Sequence, residues 1–352
     1  MKKIVVVVGI LISIGALYFA LKDIKFDEVA AAFGRIDPLW FAVGLVPWVV
    51  AIGSKVFRWR LLFYPDQAAA PYPRLTAALL IGYLFNTVLP LRTGEIVRAT
   101  VLRATAGLPV ARTLSTILVE KVLDTMALIA MLGLILPFIS LPADFVGPAR
   151  LAGVLFGGLF VVVLAAALLP DRARALINWG LRFVPARLRP AILGISNQVL
   201  DGLIPLRRRE VAPGIVIWTV ISWTANVLAT YLFLGSFGLW LPFTAPALVV
   251  DATNLVMTVP SAPGYVGVYH VTAKQSLLVF GVEENIALAF ATFLHAIGFL
   301  PLSLAGLISM IREGLSWGAV QAQAAAGPAE SGPGVPSTGV AAPAKPGSRP
   351  PL

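Results

Sequence analysis

Apolar residues in this chain fall in long, nearly unbroken runs, without the alternation of a half-buried strand or the three-and-four spacing of a surface helix. A helix needs about 20 mainly apolar residues to cross the hydrocarbon layer of a bilayer. Runs of that character cover 4–21, 39–57, 116–138, 151–169, 211–237, 244–259, 266–281 and 286–311. A shorter one, 75–91, contains Asn86 and is broken by Pro90. The pattern predicts an all-α polytopic integral membrane protein with about eight transmembrane helices plus re-entrant or broken helices. The first run exceeds the apolar core of a signal peptide, roughly 7–15 residues. Its end, Tyr18-Phe19-Ala20-Leu21, lacks a small-x-small cleavage site, so it reads as an uncleaved span.

The charges between runs orient this chain. Residues 55–74 hold Lys55, Arg58, Arg60 and Arg74 against Asp66, and residues 92–112 hold Arg92, Arg98, Arg103 and Arg112 against Glu95, each a net of +3. Positive loops stay cytoplasmic, so the segment between them is expected to dip in and return as a re-entrant hairpin. Residues 21–38 net −1 and Glu283-Glu284 is acidic, which suits the outer side. Both termini are then cytoplasmic, in a multi-pass protein of the cytoplasmic (inner) membrane.

Residues 171–210 carry a net of +5 among Leu176, Trp179 and Phe183. Such a segment is expected either to lie in the cytoplasmic interface or to act as a basic linker that fixes topology. Residues 1–315 form the expected membrane domain, and 316–352, rich in Ala, Pro and Gly, the expected disordered tail. Trp40, Trp59 and Trp218 near span ends suit interfacial anchoring.

Composition narrows the chemistry. The chain is 58% hydrophobic and 12% charged, against about 25% charged in soluble domains, which excludes a water-soluble globule. With no cysteine, there is no disulfide framework, thiolate metal site or cysteine nucleophile. Two histidines, His270 and His295, offer little for a metal, and no cofactor is expected. The formal charge of +10 is read as loops facing anionic membrane lipids, with no nucleic acid partner.

Ionisable groups inside apolar runs cost about 2.5–3.5 kcal/mol each on insertion scales, so each needs a reason. Glu120 and Asp124, four apart, share a helical face, and Lys121 lies beside them. Arg92, Glu95 and Arg98 share a face if a helix starts after Pro90. Two readings stand: a buried ion-pair network holding the hairpin to the Glu120 helix, or a cradle in which Arg92 and Arg98 meet the phosphate of a head group. Asp251 and Asn254 precede Pro260-Ser261-Ala262-Pro263-Gly264-Tyr265-Val266-Gly267, which must interrupt a helix. Tyr269 and His270 follow that break and are placed on the same cavity. Pro90-x-x-x-Gly94 and Pro260-x-x-x-Gly264 share a spacing, as broken segments in the two halves of a transporter do. His295 reads as an interhelical hydrogen bond, and Thr219, Ser222 and Asn226 as a polar stripe joining helices.

Three stretches, Arg92-Thr93-Gly94-Glu95-Ile96-Val97-Arg98, Glu120-Lys121-Val122-Leu123-Asp124 and Pro263-Gly264-Tyr265-Val266-Gly267, resemble the lysylphosphatidylglycerol synthase transmembrane-region family, whose flippase-like domain also occurs in archaeal dolichyl-phosphate glycosyltransferases. Lys121 stands for the family's usual arginine, Tyr265 for a common glycine, and His270 for a frequent glutamate. The resemblance implies movement of an aminoacyl-phospholipid or polyprenyl-phosphate-linked lipid across the membrane. The in-span polar residues and the resemblance together give Arg92, Glu95, Arg98, Glu120, Asp124, Asp251, Asn254, Gly264, Tyr269 and His270 as the expected substrate-binding residues. No catalytic domain is recognisable. The alternatives are an integral-membrane lipid-linked transferase or hydrolase, or an accessory subunit partnering a soluble synthase or glycosyltransferase.

Overall fold

The computed structural model describes residues 26–89, 93–139, 169–258 and 261–318, with scattered positions between 154 and 166. The expected first span, most of the run 151–169, Pro90, Arg92, Pro260 and the tail past 318 lie outside the described residues. Among the described residues, the long regular elements are all helices: α1 (Phe26–Gly34), α2 (Pro38–Leu62), α3 (Tyr72–Val88), α4 (Gly94–Ala106), α5 (Val110–Ile135), α6 (Pro170–Gly180), α7 (Arg189–Gly202), α8 (Ala212–Ser236), α9 (Thr244–Val256), α10 (Val268–Leu278) and α11 (Glu284–Arg312).

Local chemistry sets the starts of the long helices. Asp37 accepts the backbone N–H of Leu39 at 2.8 Å, and Pro38, having no N–H to lose, opens α2. Glu283 caps α11 in the same way, accepting from Asn285 and Ile286. Among the described residues, four helices are long and apolar enough to cross a membrane: α2, α5 with its extension to Phe138, α8 and α11. Their outer faces expose Val46, Val49, Leu134, Phe138, Leu300 and Leu304. Apolar groups facing outward in this way suit lipid as the surrounding medium.

Two expected full spans, 244–259 and 266–281, are half-length here. Helix α9 has 13 residues and α10 has 11, so at 1.5 Å per residue each falls short of a hydrocarbon layer about 30 Å thick. The cause is the backbone between them. Gly264 has φ 66°, Tyr265 φ 59° and Gly267 φ 89°, left-handed values through which no right-handed helix continues. At the expected re-entrant segment, α3 and α4 are two short helices packed on one another. Helix α5 starts six residues ahead of the expected 116, so Glu120 sits well inside it.

The longest packed pair is α2 with α8, and α11 packs along α3. Where α11 meets α3, Gly306 lies so near Leu80 that an added Cβ would collide with its carbonyl oxygen. Phe41, Phe233, Phe237, Phe290 and Phe293 form one aromatic core among α2, α8 and α11. Past α11 the chain turns back at Gly314, Glu313 pairs with Arg74, and Trp317 stacks on the buried Phe85 of α3 at 4.2 Å between ring centroids. Around α6, Leu176, Trp179 and Phe183 are exposed among arginines. Trp59 is not the interfacial anchor expected of it: it is 0% exposed, because α2 continues past it to Leu62 and packs it inside.

Candidate functional site

Three ion pairs tie α2, α4 and α5 together. Arg98 of α4 grips Glu120 of α5 with both guanidinium amines, Nη2 donating to Oε2 at 2.7 Å and Nη1 to Oε1 at 3.2 Å. Both side chains are at most 5% exposed. The Arg98 guanidinium also lies 3.9 Å over the Trp59 ring, a desolvated cation–π contact that adds to the pair. Arg58 of α2, fully buried, meets Asp124 Oδ1 at 2.7 Å and donates to Thr219 of α8 at 3.3 Å. Lys121 and Glu95 close a more open pair at 3.2 Å.

Glycine makes the first pair reachable. A Cβ on Gly94 would run into the carbonyl oxygen of Gly82 and lie 2.6 Å from Asn86 Oδ1; one on Gly82 would run into the Arg98 stem. With hydrogens at both positions, α3 and α4 touch backbone to backbone, and Asn86 Oδ1 accepts the Gly94 N–H at 2.8 Å. Arg98 then crosses the gap that a methyl group would fill.

These pairs border a cavity of about 320 Å³, at the lower end of the roughly 300–1,000 Å³ typical of small-molecule sites. Its ionic wall carries Lys55, Arg98, Glu120, Lys121 and Asp124. Asn86, Thr87, Asn226, Thr230 and Asn254 make a neutral polar wall, and Trp48, Trp223, Tyr265, Tyr269 and Phe299 an aromatic one. Asn254 spends its amide on the Val250 carbonyl at 2.8 Å. The two interrupted segments meet beside this space: a Cβ on Gly264 would be 3.4 Å from the Thr87 carbonyl oxygen at the end of α3.

Of the ten expected site residues, Arg98, Glu120, Asp124, Asn254 and Tyr269 line the cavity. Glu95 stands just behind the wall, paired to Lys121. Gly264 lies at the break, where its carbonyl accepts from His295 Nε2 at 2.7 Å. His270 turns back on that break, its Nδ1 3.4 Å from the Gly267 N–H, and its ring is 4.8 Å from that of His295. Asp251 is 0% exposed in α9 and is not part of the cavity wall; among the described residues, neither of its carboxyl oxygens has a hydrogen-bond partner. Arg92 lies outside the described residues.

The loop-charge reading missed Lys55 and Arg58, because α2 runs on to Leu62 and carries both inside the bundle. Their three-residue spacing beside Trp59, in a stretch with no helix breaker, was the available signal. The polar stripe on α8 divides its tasks. Thr219 takes the Arg58 bond, Ser222 donates to the Ala51 carbonyl at 3.2 Å, and Asn226 faces the cavity.

Fold and site together define an all-helical membrane protein with an ion-paired cavity where interrupted helices meet. Residues 6–306 match the lysylphosphatidylglycerol synthase TM region, and the chain belongs to that family. Glycosyltransferase AglD of Haloferax volcanii is 24% identical, over 90% of this chain and 55% of its own length. The chain thus spans about half of that relative. The UPF0104 membrane protein PH1989 of Pyrococcus horikoshii is 20% identical, over 87% of this chain and 96% of its own. No solved structure matches this chain.

Proposed function

We propose that the protein moves a polar lipid across the cytoplasmic membrane, the head group passing through the cavity between α2, α5, α8 and α9 while the acyl chains stay in lipid. The observation that carries this reading is the cavity itself, which brings ionic and polar side chains together among helices whose outer faces are apolar. Charged side chains at membrane depth are costly and mark pathways for polar cargo. Interrupted helices leave backbone groups to line such a path. In this reading the arginine-rich segment around α6 faces the cytoplasm, as do both termini, in keeping with the preference of positive loops for that side.

The test uses vesicles reconstituted with the full chain and acyl-labelled fluorescent phosphatidylglycerol, with dithionite reporting exchange between leaflets. Wild-type protein should speed exchange over protein-free vesicles, and Asn226→Leu/Asn254→Leu, which turns two cavity amides into apolar groups of similar size, should slow it about tenfold. Exchange no faster than in empty vesicles, or a double variant at the wild-type rate, overturns the proposal. The AglD match favours a second reading, in which this membrane domain is an accessory partner of a glycosyltransferase. A glycosyltransferase that co-purifies with the chain would support it.

A further inference from the structure

Charge around the cavity does not balance. Four cations, Lys55, Arg58, Arg98 and Lys121, stand against three carboxylates, Glu95, Glu120 and Asp124. Each carboxylate is already taken: Glu120 by Arg98, Asp124 by Arg58 and Glu95 by Lys121. Lys55 is left over. Its ammonium lies 5.6 Å from the centre of the Trp223 ring on the cavity wall, and no carboxylate among the described residues pairs with it.

A second observation in the same cavity lining points the same way. Trp223 is 6% exposed, lines the cavity, and its indole N–H is buried with no acceptor. Indole nitrogen can only donate, and an ammonium has three donors and no acceptor. A third unused donor, Arg98 Nε, belongs to another side chain of the lining. Buried donors are ordinarily satisfied, so unspent ones on residues that line one space describe a missing occupant, while the carboxylates of that lining, Asp124 and Glu120, are held in ion pairs. It is rich in acceptors, negatively charged and compact. A phosphate group has that chemistry, whereas an ammonium or choline does not.

We infer that Lys55 and the Trp223 N–H bind the phosphate of an anionic head group, and that the cavity selects such a group over zwitterionic or cationic ones. This inference rests on the transport reading for its cargo, but it concerns binding alone. The Arg58–Asp124 and Arg98–Glu120 pairs hold the frame, and Lys55 supplies the uncompensated charge. A partly buried lysine with a flexible stem can follow a phosphate that enters and leaves; a locked guanidinium cannot.

The experiment measures thermal stabilisation of the detergent-purified full chain by water-soluble probes: dihexanoyl phosphatidic acid, dihexanoyl phosphatidylcholine and inorganic phosphate. Phosphatidic acid should stabilise the wild type at concentrations at least about tenfold below phosphatidylcholine, the scale of one charge-assisted hydrogen bond. Lys55→Gln should remove that preference, and Lys55→Arg should keep it. Trp223→Phe, which retains the ring and loses the donor, should weaken phosphatidic acid several-fold and leave phosphatidylcholine alone. Stabilisation by inorganic phosphate that matches phosphatidic acid and depends on Lys55 supports the anion site while removing the lipid cargo. Binding of phosphatidic acid without leaflet exchange supports it while removing transport. Equal stabilisation by the two lipids, or an undiminished preference in Lys55→Gln, overturns it.

Discussion

Replacing Glu120 by leucine would strand Arg98, and the structure sets the size of the effect. In the wild type, two of the three guanidinium nitrogens bond to Glu120 while Nε has no acceptor, in a side chain 5% exposed. Without Glu120 the whole guanidinium is unpaired, with only the Trp59 ring against it. Breaking a buried pair by removing one partner costs about 3–5 kcal/mol. Arg98→Met should cost a similar amount by leaving Glu120 alone. The double variant Arg98→Met/Glu120→Leu fills the same volume with apolar atoms and carries no orphan charge, so it should return to within about 1–2 kcal/mol of the wild type. Reversible unfolding of the full chain in mixed detergent micelles, with rising sodium dodecyl sulfate, reads all four proteins as a double-mutant cycle. Single variants costing below about 1 kcal/mol, or a double variant equal to the sum of the singles, would refute the claim that this pair locks α4 to α5.

Two further outcomes use the same measurement. Gly94→Ala should destabilise the protein by about 1–3 kcal/mol, because α3 and α4 must separate to admit the methyl group; stability equal to the wild type would show that the close approach is dispensable. Asn86→Ala should cost about 1 kcal/mol through the lost bond to the Gly94 N–H, and together with Gly94→Ala it should cost less than the sum, since one separation of the helices serves both changes.

The membrane class was legible because a bilayer imposes a length on apolar runs, and α2, α8 and α11 follow those runs to within a few residues at most ends. Span length was misjudged where hydropathy is blind to φ. The stretch from 244 to 281 is apolar almost throughout, yet Gly264, Tyr265 and Gly267 divide it into halves. The ionic residues announced themselves as charges inside apolar sequence, but their partners did not. Glu120 and Asp124 share a face of α5, yet one takes an arginine from α4 and the other from α2, a choice made by the tertiary path. Lys55 and Arg58 were read as loop charges because a count of charges between runs assumes that helices stop where polarity begins. Trp59 was mistaken for the same reason: near the end of the run, but short of the end of the helix.

The family match ends at residue 306, but the folded unit does not. Trp317 covers Phe85, a side chain with no exposure of its own, and the Glu313–Arg74 contact fastens the returning strand of chain beside it. Any fusion, tag or shortened version designed to that boundary would therefore strip the cover from the helix carrying Gly82 and Asn86. The safe junction for engineering lies beyond Trp317.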